Sequence, residues 1–155
     1  MRGWRTYEEA TTELSALPSE ERLQTLLAEW TSEAELLSTD DVRRLFAEVW
    51  PVSGGSVPDH LPGLVRMLHW IAPVRDVETY LAGTLTVFRA ADDHRGIRWS
   101  LDEPAASAEA LQNTTGMFRA TIAASDVLGH FTGDGRNEVL VDPEDLGSVE
   151  RVSPS

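Results

Sequence analysis

The spacing of apolar residues changes near Gly83, and this change constrains the fold more than any other feature of the sequence. Before it, apolar side chains recur three and four positions apart, which places them on one face of an α-helix. After it, they alternate with polar residues, as in a strand with one buried face. The sequence therefore predicts a helical part over residues 1–82 and a β-rich part over residues 83–143. We expect residues 144–155 to fray.

Three apolar runs in the N-terminal half have helical spacing. Ser19 precedes the first run and is a residue type that caps helices. Pro51 and Pro73 are predicted to end the second and third helices. Residues 53–58 read as an interhelical loop, and a short helical turn around residues 76–81 closes this half. The runs are Leu23, Leu26, Leu27 and Trp30, then Val42, Leu45, Phe46 and Val49, then Leu64, Val65, Leu68 and Ile71.

Short apolar stretches, two of which alternate with polar residues, predict strands in the C-terminal half. The predicted strands cover residues 85–89, 117–124 and 138–141. Between the first two lies a predicted helix over residues 103–112, which Pro104 starts at its first position. Neither half is clearly large enough for a good core alone. We therefore expect the helices to pack on a mostly antiparallel sheet, as one α+β domain of residues 1–155.

The composition of charged and sulfur-containing residues excludes several classes of enzyme and binding site. All 13 basic residues are arginine, and the chain has no cysteine. The missing lysine excludes a P-loop and a Schiff-base enzyme, and the missing cysteine excludes thiol nucleophiles, disulfides and thiolate metal sites. The net charge of −13 disfavours direct binding of nucleic-acid phosphates. Carboxylates, hydroxyls, arginine and histidine remain as reactive groups.

No targeting segment, membrane span or metal site is predicted. The N-terminal stretch lacks the apolar region of a signal peptide, and no stretch approaches the length of about 18 apolar residues that a membrane helix needs. We therefore expect a cytoplasmic protein. The histidines have no metal-ligand spacing. We interpret Asp92-Asp93-His94 as a solvated loop and Gly133-Asp134-Gly135 as a turn.

Three segments of the C-terminal half carry residues suited to chemistry. The first strand ends at Arg89, which has the same parity as Leu85 and Val87 and is therefore expected to point toward the face that they cover. A cation there needs an anionic partner, either a protein carboxylate or a ligand phosphate. The second segment is Gly96–Asp102, followed by an alanine-rich helix. The third is Arg136–Pro143.

Together these segments resemble the ADP-ribosyltransferase superfamily, and more closely its small phage- and actinobacteria-type proteins. Those proteins have a strand ending Tyr/Phe-Arg-Gly, then Gly-x-Ser-Trp-Thr-x-Asp and an alanine helix. They finish with Arg-x-Glu or Glu-x-Glu before a Val-x-Val-Asp-Pro strand. The order arginine, serine, glutamate matches, and the resemblance covers roughly residues 84–143.

The resemblance implies an ADP-ribosyltransferase-like sheet and NAD as a substrate, as in a toxin or a phage-type effector. It assigns Glu138 to stabilising the oxocarbenium-like ribose that forms when the nicotinamide bond breaks. It assigns Arg89 to clamping the pyrophosphate or ribose, and Ser100 to positioning the ribose or the glutamate. Trp99 packs beside the site or in the core. The acceptor of the ADP-ribose is expected to be a protein.

The chain departs from the family pattern at three positions. Ala90 replaces the glycine after the strand arginine, Arg98 stands where serine is usual, and Arg136 stands where arginine-modifying members carry a further glutamate. The last departure leaves the acceptor open. An NAD-binding protein without activity is a further interpretation of the same residues.

Each site residue also has a structural interpretation. Arg89 pairs with a nearby aspartate at position 92, 93 or 102, Ser100 caps the following turn, and Glu138 is a solvated residue at the start of an edge strand.

A second function class fits the charge. The alternative is a non-catalytic acidic interaction protein, such as an antitoxin, an immunity protein or a DNA mimic. The net charge is −7 over residues 1–80 and −6 beyond them, so no single acidic strip is visible in the sequence.

Overall fold

The fold was described from a computed structural model of the chain. It describes residues 3–31, 37–53, 63–76 and 80–155. The chain divides into two compact units, residues 1–74 and 75–155. The single domain expected from the sequence stays a prediction.

The first unit is helical, as predicted. Its helices are α1 (Tyr7–Ser15), α2 (Ser19–Thr31), α3 (Thr39–Ser53) and α4 (Leu64–Ile71). Thr6 caps α1, because its side chain accepts a hydrogen bond from the backbone N–H of Glu9. The apolar faces of the helices supply the core, whose largest fully buried side chains are Leu23, Leu26, Leu45, Phe46, Leu64, Met67, Leu68 and Ile71.

One helix end in this unit differs from its prediction. Pro51 does not end α3, which continues to Ser53. Pro51 removes one backbone N–H from the helical hydrogen bonds, but its fixed φ of about −65° is itself helical, so the chain can keep helical geometry over the two residues that follow. The predicted loop over residues 53–58 lies outside the described residues beyond Ser53. So do residues 77–79 of the predicted turn at 76–81.

The second unit is built on a seven-stranded sheet. The strands are β1 (Val74–Arg75), β2 (Thr84–Ala90), β3 (Arg98–Ser100), β4 (Met117–Ala123), β5 (Gly129–Phe131), β6 (Glu138–Leu140) and β7 (Gly147–Val152), and the helix is α5 (Glu103–Asn113). Their order in the sheet is β1-β5-β6-β3-β2-β4-β7. The β2–β3, β2–β4, β3–β6, β4–β7 and β5–β6 pairs are antiparallel. The chain is therefore α+β with a mostly antiparallel sheet, as predicted.

The two faces of this sheet bury different side chains. Helix α5 covers one face with Ala106 and Ala110, which pack with Phe88 and Met117. The side chains that share the opposite face include Val87, Trp99, Phe118, Ala120, Ile122, Val139 and Val141. The alternation along β2 and β4 separates these two groups, because successive side chains of a strand point to opposite faces. We call these the α5 face and the Trp99 face.

The prediction of a frayed C-terminal end is wrong for most of its length. Residues 147–152 form β7, which pairs with β4 along the sheet. Beyond β7, the backbone N–H of Ser155 donates to the buried hydroxyl of Ser107, which in turn donates to the carbonyl of Ser155. These bonds anchor the last residues to α5. The predicted turn at Gly133–Gly135 is a single turn of 3-10 helix.

Among residues 3–31, 37–53, 63–76 and 80–155, no helix combines the length and the apolar character needed to cross a bilayer.

Candidate functional site

The three segments that carry the family resemblance occupy three adjacent strands. Arg89 is on β2, Ser100 is on β3 and Glu138 is on β6, and the sheet order places β3 between the other two. Arg89 and Glu138 are 49 positions apart in the sequence. Folding therefore brings the segments side by side, which their spacing alone does not require.

Ser100 and Glu138 share one face of the sheet. They are direct partners in the antiparallel β3–β6 pair, and Ser100 is also the partner of Phe88 on β2. Direct partners in an antiparallel pair point to the same side, with their Cβ atoms about 4.5–5.5 Å apart. Since Phe88 packs against α5, Ser100 and Glu138 lie on the α5 face. Both residues are half-buried.

The Ser100 hydroxyl forms a tight turn before α5. It accepts from the backbone N–H of Asp102 at 3.0 Å and donates to the carbonyl of the same residue at 3.2 Å. Asp102 in turn caps α5 through the N–H of Ala105. The interpretation of Ser100 as a turn-capping residue is therefore confirmed. A hydroxyl has two acceptor lone pairs, and these two bonds use only one of them.

Arg89 points to the other face, as its parity predicts. Its partner on β4 is Phe118, a member of the Trp99 face, and only 9% of Arg89 is exposed. The guanidinium Nε donates to the Asp93 carbonyl at 3.0 Å, and Nη1 donates to the Arg98 carbonyl at 3.2 Å. Nη2 lies 3.6 Å from the Asp93 carboxylate. The interpretation that a nearby aspartate pairs with Arg89 is confirmed.

Gly96 and Trp99 complete the surroundings of Arg89. A Cβ at position 96 would overlap the guanidinium of Arg89, so the glycine lets the loop lie directly against it. Trp99 is 1% exposed, and its indole N–H donates to the Gly96 carbonyl at 3.0 Å. Trp99 is thus a core residue. Arg89 and Trp99 together fix the loop between β2 and β3.

The sheet register separates the predicted site residues into two pairs. Ser100 and Glu138 lie on the α5 face, whereas Arg89 and Trp99 lie on the Trp99 face. Sequence reasoning missed Arg98, whose β6 partner is Leu140 and which therefore shares the α5 face with Ser100 and Glu138. The sequence could have indicated this, because Arg98 is two residues before Ser100 and alternate residues of a strand point to the same face. The face that carries Glu138 thus has its own arginine.

A buried histidine lies beside the start of β6. The imidazole Nε2 of His130 is 2.8 Å from the Asn137 side-chain oxygen, and His130 is 5% exposed. Its Nδ1 has no hydrogen-bond partner among the described residues. Asn137 directly precedes Glu138, so this bond helps to fix where β6 begins.

The first unit carries a separate group of acidic side chains along α1. Trp4, Glu8, Glu9, Thr12 and Glu13 line a shallow groove. Two of these carboxylates have partners nearby, since Glu13 accepts from the Trp4 indole at 2.6 Å and Glu9 accepts from the Arg5 N–H at 2.9 Å.

Tyr7 is the other titratable group of note in α1. Burial raises the pKa of Tyr7 above its usual value, and the hydrogen bond to Glu48 raises it further.

Comparison of the chain with protein-family models, curated proteins and solved structures finds no match.

Proposed function

We propose that this protein cleaves the nicotinamide bond of NAD on the α5 face, as an ADP-ribosyltransferase or an NAD glycohydrolase. The observation that carries the proposal is the pairing of Ser100 with Glu138 on adjacent strands. It joins a hydroxyl and a carboxylate from two segments that the sequence keeps 38 positions apart. Both belong to the segments that carry the family resemblance.

Glu138 has the chemistry that this reaction needs. Loss of nicotinamide leaves positive charge on the ribose, and a carboxylate beside the ribose stabilises that charge in the transition state. Glu138 is half-buried, so its charge is less screened than that of a fully exposed group. Ser100 keeps one acceptor lone pair beyond its bonds to Asp102, which suits it to accept from a ribose hydroxyl.

An arginine on the same face suits the pyrophosphate. Arg98 shares the face of Ser100 and Glu138, whereas Arg89 faces the other way and donates to two carbonyls of its own loop. A guanidinium can donate two parallel hydrogen bonds to two phosphate oxygens. We therefore assign the pyrophosphate contact to Arg98 and give Arg89 the role of holding the β2–β3 loop.

The acceptor and the location complete the proposal. The ADP-ribose is transferred to a protein, and water is the acceptor if the activity is that of a glycohydrolase. We place the reaction in the cytoplasm, a compartment that a chain without cysteine suits.

The decisive experiment measures nicotinamide release from NAD by the wild type and by Glu138→Gln. The amide keeps the shape of the side chain and removes the charge that opposes the developing cation. We expect the rate to fall by about two to three decades. Glu144→Gln is the matched control, because Glu144 is an exposed glutamate outside this face of the sheet, in the turn after β6. Equal rates for Glu138→Gln and the wild type would refute the proposal.

A second function is favoured by the distribution of charge. Residues 1–74 contain 12 acidic residues and 6 arginines, and residues 75–155 contain 14 and 7. Both units thus carry an excess of carboxylates, which attracts a basic partner surface and speeds encounter with it. This supports a non-catalytic interaction protein.

The two functions differ in their response to substitution. An interaction protein keeps its cellular effect in Glu138→Gln and loses it when exposed carboxylates such as Glu8 and Glu9 are changed to lysine. An NAD-cleaving enzyme shows the reverse.

A further inference from the structure

The last strand of the sheet, β7, has one open side. It stands at the end of the strand order, and β4 is its neighbour on the other side. No further strand pairs with β7 among the residues that the structure describes. The opposite edge of the sheet is β1, which has only two residues. An open edge presents unpaired backbone N–H and C=O groups, and such edges accept an added strand from a partner.

The hydrogen bonds of β4 alternate between its two neighbours. The N–H of Ala91 donates to the carbonyl of Gly116 at 3.0 Å, and the same register continues along the whole β2–β4 pair. In an antiparallel pair, every second residue exchanges both of its backbone bonds with the partner strand. The even-numbered residues of β4 therefore bond to β2, and its odd-numbered residues direct their backbone groups toward β7.

This alternation identifies the outward-facing residues of β7. Glu150 and Val152 are the partners of odd-numbered residues of β4, so their backbone groups bond to β4. Val149 and Arg151 alternate with them and direct their N–H and C=O groups to the open side. These groups have no partner among the described residues. An irregularity in the β4–β7 register and the left-handed φ of 50° at Ser148 interrupt the edge, so the usable segment begins at Val149.

A second copy of the chain does not suit this edge. Two-fold antiparallel pairing through both outward residues places Val149 opposite Arg151 of the second copy, and therefore places Glu150 opposite Glu150. Like charges directly opposite each other on neighbouring strands are destabilising. The net charge of −13 also opposes the association of two copies. These charges favour a different chain as the partner.

Glu150 indicates the charge of that partner. Its carboxylate accepts two hydrogen bonds from the Arg119 guanidinium, both through Oε1. Its Oε2 has no partner among the described residues, and the side chain is 53% exposed. A cation on an added strand opposite Glu150 would therefore meet a free carboxylate oxygen. Glu144 and Asp145, which are exposed in the turn before β7, add negative charge at the start of the same strand.

We propose that β7 binds an extended, basic peptide segment of another protein as an additional strand of the sheet. The backbone of the segment pairs with the outward groups of Val149 and Arg151. Its basic side chains lie on the face of Glu150, and its apolar side chains lie on the opposite face beside Val149, which is partly buried there. Three strands separate β7 from β6, which carries Glu138, and the inference does not rest on the proposed NAD cleavage.

The test is an NMR titration of the full chain with a short peptide in which arginine alternates with valine. We expect saturable shifts of the Val149 and Arg151 amides, which gain hydrogen bonds, and little change at Glu150 and Val152, which are bonded already. A peptide in which glutamate replaces arginine should bind about fivefold more weakly or worse. Glu138→Gln should bind the arginine peptide like the wild type, so this site is tested separately from NAD cleavage.

Two substitutions at one position separate the backbone from the side chain. Arg151→Pro removes the outward N–H and keeps the bonds between β7 and β4, because proline is tolerated on the open side of an edge strand. It should weaken binding about tenfold or more, whereas Arg151→Ala keeps the N–H and should bind like the wild type. Glu150→Gln should weaken binding by up to about fivefold, the effect of one exposed ion pair.

A peptide methylated on its backbone nitrogens completes the test, because it leaves the protein unchanged and cannot pair with a strand edge. It should not bind, and this result decides the question even if Arg151→Pro disturbs β7. Several outcomes would overturn the inference. They are shifts that stay linear in peptide concentration, equal binding of the methylated and unmethylated peptides, and equal binding of the arginine and glutamate peptides. Shifts of the Val149 and Arg151 amides with rising protein concentration, in the absence of peptide, would assign the edge to a second copy instead.

Discussion

The substitution Gly96→Ala tests how Arg89 is held in the loop between β2 and β3. The new methyl group would occupy the position of the Arg89 guanidinium, so the guanidinium must move. It cannot move freely, because it is 9% exposed and donates to the carbonyls of Asp93 and Arg98. Loss of these two bonds from a charged donor costs about 1.5–3 kcal/mol each. Allowing for partial relaxation of the loop, we expect the free energy of unfolding to fall by about 3 kcal/mol.

Amide hydrogen exchange of β2 and β4 is the appropriate assay, because it reports the stability of the sheet directly. The control is the same substitution in an Arg89→Met background, where no guanidinium opposes the methyl group. There Gly96→Ala should cost less than about 1 kcal/mol, which gives a coupling of about 2 kcal/mol between the two positions. An equal cost in both backgrounds would refute the argument that Arg89 requires a glycine at position 96.

Three further predictions concern other contacts. Tyr7→Phe should reduce the loss of stability in alkali. Because the pKa of Tyr7 is raised in the folded state, its contribution to stability is complete below the unfolded-state pKa and is lost as the pH rises through the folded-state pKa. The free energy of unfolding, measured across that pH range for the wild type and the variant, checks this. The Asp76 carboxylate accepts backbone N–H groups at the end of β5, so Asp76→Ala should lower the free energy of unfolding by about 1–2 kcal/mol, measured in urea. Ser107→Ala should raise the exchange rate of the Ser155 amide, measured by NMR, and leave β7 protected.

The sequence predicts the elements that carry a recognisable apolar pattern. Helices α2, α3 and α4 have apolar residues at the spacing of one buried helical face. Strands β2 and β4 alternate apolar and polar residues over part of their length, and β6 begins a run of three apolar residues, Val139–Val141. Strand β5 was missed because Gly129–Phe131 shows neither alternation nor an apolar run, although all three residues are buried. Strand β7 was missed because it is a largely exposed edge strand that backbone pairing with β4 holds in place.

The site could be predicted only in part. The parity of Arg89 correctly gives its face, because alternation along one strand is a local property. The relation between Arg89 and Glu138 depends on the register in which Ser100 pairs with both β2 and β6. Register is set by the packing of the whole sheet and cannot be predicted from any one segment alone. For the same reason the sequence did not identify Arg98 as the arginine on the face of Glu138.

The most direct test of the central claim is a crystal structure of the protein with NAD bound. The account predicts the nicotinamide ribose beside Glu138 and Ser100 on the α5 face, and the pyrophosphate within hydrogen-bond distance of the Arg98 guanidinium. It also predicts that Arg89 keeps its bonds to the loop. NAD bound on the Trp99 face, or with its ribose away from the Glu138 carboxylate, would contradict the account.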